Sequence, residues 1–205
     1  MAEVNYSLDR DLEEARVLAQ GLEDYVRGDR LYGSAGGGLF STAADMPSLT
    51  IGQLLLRLRR LQALESQMTP EQKAILTEAE AEHDRVRKEW AVHYGDKIRD
   101  EAAARLRSLE AFFAECEDAP EACAEAYLPE ALGRTILHEI VTALNRYNMA
   151  DVDFDRSLAQ RDTQLRRFTE PSDFLWSETL RPVYPEETYW WLYVRPMVEE
   201  REVEE

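Results

Sequence analysis

Residues 69–93 read TPEQKAILTEAEAEHDRVRKEWAVH, and this stretch decides the fold class. Thr69 stands as a cap, Pro70 as the first helical residue and Gln72 as the returning half of a capping box. Behind that start, Leu76, Ala79, His83, Val86, Trp90 and His93 alternate three- and four-residue steps, the period of one apolar helix face. The spacing resumes beyond Gly95 through Ile98, Ala102, Leu106, Leu109, Phe113 and Cys116. It predicts one helical element from Pro70 to about Glu117, roughly 70 Å long at 1.5 Å per residue. Gly95-Asp96 is the alternative, a C-cap followed by an N-cap.

The same period recurs on both sides. Leu12, Ala15, Leu18, Leu22 and Tyr25 predict a helix from Leu8 to about Gly28. Thr50 and Gln53 pattern as a capping box before Ile51, Leu54, Leu55, Leu58 and Leu61. Pro120 opens a short helix to Tyr127, and Pro129 opens another with Leu132, Ile136, Leu137, Ile140, Leu144 and Tyr147 as its buried side. Asp153 or Asp155 caps a last helix through Leu158, Leu165 and Phe168. The expectation is an all-α bundle of five to seven helices with one long helical element.

Two segments break the pattern. Gly33 to Gly38, flanked by Leu31-Tyr32 and Leu39-Phe40, predicts a small hairpin or an irregular loop inside a Gly-rich connector over 28–47. From Phe168 to Tyr193 the chain holds eight of its nineteen aromatic residues and three prolines, which reads as an extended arm. In Thr188 to Val194 a strand would be apolar on both faces, so at least one face must be covered, by the chain's own helices or by a partner. The organisation expected is therefore a helical body over 1–170, an aromatic arm over 171–198 packing on it, and an acidic tail over 199–205.

Charge narrows the function classes. Asp and Glu outnumber Lys and Arg 41 to 24, giving −17. Phosphate backbones and anionic membrane surfaces are both repelled by that balance, so neither nucleic acid nor membrane is an expected partner. The N-terminus lacks a signal-peptide pattern, and no apolar run approaches the ~18 residues of a membrane span, which predicts a soluble, cytoplasmic protein. In that setting Cys116 and Cys123 are expected as reduced thiols, with a local disulfide across a helix–helix turn as the alternative.

No motif names a reaction. Glu80-x-x-His83 is half of a di-iron ligand set, but the second copy is absent, so a core or interface histidine is the better reading. His138-Glu139 begins like a zinc-protease motif and ends on Thr142. Asp151, Asp153 and Asp155 begin like a calcium loop, but Arg156 occupies the glycine position and Asp162 the bidentate glutamate position. The Gly33–Gly38 cluster lacks the Lys-Ser/Thr of a phosphate loop. No metal and no cofactor is expected. The best reading is a helical interaction or scaffold protein without catalytic activity. It would associate with a protein partner or with itself through a coiled-coil-like seam. Its candidate surface is Tyr189, Trp190, Trp191 and Tyr193, with the basic cluster Arg57, Arg59 and Arg60. The alternatives are an enzyme or metal protein around Glu80, His83 and His138, and, more weakly, an acidic mimic or chaperone of a basic partner.

Overall fold

A computed structural model describes residues 5–34, 46–118 and 120–197, with backbone only at residues 117, 118 and 120. Seven α-helices carry the described residues: α1 Leu8–Gln20, α2 Leu22–Arg27, α3 Ile51–Ala63, α4 Pro70–Glu89, α5 Ala91–Asp118, α6 Pro120–Arg146 and α7 Val152–Phe168. Two antiparallel ribbons accompany them, β1 Gly33–Ser34 with β2 Ser48–Leu49, and β3 Thr169–Pro171 with β4 Val194–Pro196. The protein is an all-α bundle with an aromatic-rich C-terminal region. The hairpin pairs expected at Leu39-Phe40, the Gly36–Gly38 cluster and the acidic tail lie outside the described residues.

Several boundaries differ from the sequence expectations, each for a local reason. The first helix stops at Gly21, where a Cβ would stand 3.0 Å from Leu49 Cδ2, and α2 resumes at once. The long element breaks at Trp90 (φ −112°, ψ 37°), while Gly95 stays inside α5. Trp90 N–H still donates to Val86 O and Tyr94 N–H to Trp90 O, so the ladder survives on both sides of the kink. Gly95 is kept small by its surroundings: a Cβ there would lie 3.3 Å from Met149 Sδ. Pro129 opens no helix and sits within α6. It removes one donor to the Glu125 carbonyl, at a place where Glu125 and Pro129 both lie on the exposed side of the helix. Asp151, ahead of the two expected caps, accepts from Asp153 N–H and Phe154 N–H. The thiols expected to be reduced are joined, Cys116 to Cys123, across the α5–α6 turn.

The chain divides into two compact units, each with its own core. One comprises Tyr6–Ala103 and Ile136–Ala150. Here α1 packs on α3 and α4. Leu18, Leu22, Ile51, Leu54, Leu56, Leu61 and Ile98 are fully buried. The Thr69 box forms as predicted: Thr69 Oγ1 accepts from Gln72 N–H, and Gln72 Oε1 accepts from Thr69 N–H. At α3 only half a box forms, because Gln53 Oε1 accepts from Arg57 instead of reaching back to Thr50.

The other unit is built from residues 104–135 and 151–197. Its core is a relay of edge-packed rings: Trp176 on Tyr184 (5.1 Å between centroids), Tyr184 on Tyr189 (4.9 Å), and Tyr189 on Trp191 (5.5 Å). The aromatic segment is not a plain strand, since Glu178–Val183 and Trp190–Leu192 form 3-10 turns. Trp191 closes the core. Its indole N–H donates to Thr135 Oγ1 (2.9 Å), its carbonyl accepts from Tyr127 OH (2.7 Å), and the Arg134 guanidinium stacks 3.9 Å from the ring. With Trp191 only 1% exposed, Trp191→Ala is expected to cost about 3–5 kcal/mol in urea unfolding. A cost below about 1 kcal/mol would show that the ring is not part of this core.

Candidate interaction surface

The residues singled out in sequence are mostly used up inside the fold. Arg57 Nε donates to Glu14 Oε2 at 2.6 Å, and Arg60 lies 3.6 Å from Asp11; all four side chains are buried. Only Arg59 of the three arginines is exposed. Tyr189, Trp191 and Tyr193 are buried in their own unit, and Trp190 is half-covered with the Arg166 guanidinium 3.6 Å over its ring. As a surface, the sequence-derived set thus reduces to Trp190 and Arg59. Long-stemmed arginines and amphipathic rings look like docking groups in a sequence, yet the fold buries them by pairing the charges and satisfying the polar tips.

Two residues of the alternative enzyme cluster have partners outside it. Glu80 accepts from Gln62 Nε2 (2.6 Å), His83 Nε2 is 2.9 Å from Tyr94 OH, and His138 is half-buried on α6. Among the described residues no group of three or more His, Cys, Asp or Glu could hold a metal. Asp151 and Asp153 act at the start of α7, one as cap and one paired with Arg156.

Among the described residues, one concave feature is an open groove of about 680 Å³. Ala124, Tyr127 and Leu128 of α6 form one wall. Glu170 and Arg195, partners across the β3–β4 ribbon, face them with Leu175 and Pro196. The local sequence explains the wall: Ala124 and Leu128 are one turn apart on α6, and Cys123 and Tyr127 turn inward from the same two turns. Leu128 stays 40% exposed at the edge of this groove. Tyr127 is fixed by its bond to Trp191 O, and burial holds its phenol well above the ordinary range. The rim carries ionised groups. Arg195 Nε donates to Glu170 Oε1 at 2.9 Å, and next to the groove on α6 burial, then the nearby Glu115, pushes the Glu130 carboxyl up.

Sequence reading missed the groove because its two walls come from segments over 40 residues apart. It also missed Lys97, Glu101 and Arg134. Lys97 donates to the carbonyls of Gly28 (2.6 Å) and Arg30 (2.9 Å), closing the end of α2. Glu101 is treated below. Arg134 pairs through two bonds with Asp162, both 2.8 Å. Isolated charges on apolar helix faces were the available signal.

Comparison with protein-family models, curated proteins and solved structures finds no match for this chain. Among the described residues no helix is long and apolar enough to cross a membrane.

The two histidines of the α4 stripe end in different places. His83 is buried, whereas His93 is exposed because the kink at Trp90 turns Tyr94 inward in its place. Burial, opposed by Asp84 and aided by Arg87 and Arg146, lowers His83 to about 4. The unfolded chain, with a value near 6.5, takes up a proton that the fold refuses. Stability from this group is therefore complete above pH 6.5 and lost as pH falls toward 4, by on the order of 3 kcal/mol. Urea unfolding at pH 7 and pH 4.5 should show a larger loss for the native chain than for His83→Gln. Equal losses would contradict a buried neutral imidazole.

Proposed function

We propose that this chain works by binding another protein, as an interaction or scaffold module without chemistry of its own, and that the groove beside Leu128 is the face it uses. The observation that carries this reading is an apolar side chain left open on a rigid wall. Leu128 stands on α6 two turns before Arg134, whose pair with Asp162 and stacking on Trp191 fix the helix from behind. A preorganised pocket with an exposed aliphatic anchor suits docking, because little ordering entropy is lost on binding. The charge of −17 opposes nucleic acid and anionic membranes as occupants. It also opposes a second copy of the chain meeting this same acidic face, which puts self-association behind a different partner.

One observation weighs against the cytoplasmic setting expected from the sequence. The Cys116–Cys123 disulfide fits an oxidising compartment better than a reducing one.

A photo-crosslinking amino acid at position 128, installed in cells of the source organism, tests the face. The expected result is a discrete protein adduct that is absent when the crosslinker replaces Val152, which is more exposed but lies outside the groove. No adduct at 128, or the same products from both positions, would remove the groove as the docking face.

A further inference from the structure

Building on that interaction reading, we propose that the groove takes a basic amphipathic helix of a partner protein. One apolar side chain would seat between Leu128 and Leu175, and flanking Lys or Arg would meet the acidic face of α6. The first observation is the charge of this wall. On α6 from Pro120 to Gly133 the sequence holds three Glu (Glu121, Glu125 and Glu130) and no Lys or Arg. On α6, Glu121 and Glu125 are exposed and one turn apart, and Leu128 follows on the adjoining turn. Acid and apolar anchor therefore follow one another along one face of α6.

The second observation is how this charge is balanced within the fold. The groove's own cation, Arg195, is already engaged by Glu170. Glu130 of α6 is held up first by burial and then by Glu115, which approaches it from α5. A partner bringing Lys or Arg relieves like-charge crowding, so complementarity selects its sign.

The third observation favours a helix over an added strand. Pro171 and Pro196 each lack an N–H at an end of the β3–β4 ribbon, which makes a poor template for pairing an extended peptide. Docking must then come from side chains at helical spacing, an apolar residue every third or fourth position with cations between.

Three labelled peptides of about 18 residues, five helical turns, distinguish the possibilities by fluorescence anisotropy on the full chain. The first carries Leu at helical spacing with Lys elsewhere, the second the same Leu pattern with Gln for Lys, and the third the Lys pattern with Ser for Leu. The first is expected to bind at least ~10-fold more tightly than either other. It should weaken as salt rises, less steeply in the double variant Glu121→Gln with Glu125→Gln. Leu128→Ser should weaken the first peptide about ten-fold while leaving the melting temperature unchanged. Equal binding of the Gln peptide, still lost in Leu128→Ser, would overturn the basic partner but keep the docking face. Equal binding of the Ser peptide would reduce the effect to bare charge attraction and overturn the groove as its site. No binding of any Leu peptide would overturn both.

Discussion

A buried carboxylate under the start of α3 is the constraint on which the larger helical unit depends. Glu101 is 0% exposed, and its Oε2 accepts from Gly52 N–H at 2.9 Å. The first amides of any helix lack intrahelical acceptors and together carry partial positive charge, so an anion belongs there. Thr50 satisfies the Gln53 amide and Glu101 the Gly52 amide, which caps the end of the helix from two directions. The approach is possible only at glycine. A Cβ on residue 52 would sit 2.5 Å from Ile136 Cγ2, 2.6 Å from Glu101 Oε1 and 2.8 Å from Ile140 Cδ1. Glycine thus lets α3 touch α5 and α6 at one point, against the ordinary cost of a glycine in a helix of about 1 kcal/mol.

The opposite flank of α3 is held by charge as well. Glu14 on α1 accepts from Arg57 and from Arg10, and Asp11 lies beside Arg60. Burying ions is costly, and a well-packed apolar substitute can be as stable, but deleting one partner strands the other and costs about 3–5 kcal/mol. These pairs fix register more than they add stability. A helix sliding by one turn on α1 would separate both pairs at once. The densest basic cluster in an acidic chain thus serves the fold, with Arg57 and Arg60 engaged by Glu14 and Asp11.

Local signals were legible where the physics is local. The Thr69 box, the proline at the start of α4 and the stripe Leu76, Ala79, His83 and Val86 depend on neighbours within a few residues, and all form as read. What differed were places where distant residues decide between two local readings. The long element was expected to run through Gly95, and it does, with Met149 beside the missing side chain; the kink falls instead on Trp90. Pro129 looked like a start, yet solvent on its side of α6 lets the helix pass through. The cysteine pair was read from an assumed compartment when the turn brings the two Cα atoms to 5.0 Å. The groove was invisible for the same reason. Leu128 reads as one more apolar residue until the β3–β4 ribbon stands opposite it and leaves it uncovered.

The seating of α3 on Glu101 is tested most directly by hydrogen exchange at the Gly52 amide. An amide in the first turn of a helix ordinarily exchanges readily, since it has no intrahelical acceptor. The interaction described here predicts that Gly52 exchanges as slowly as the interior amides of α3, through global unfolding alone. Rapid exchange at Gly52, while the rest of α3 stays protected, would show that Glu101 does not hold the helix.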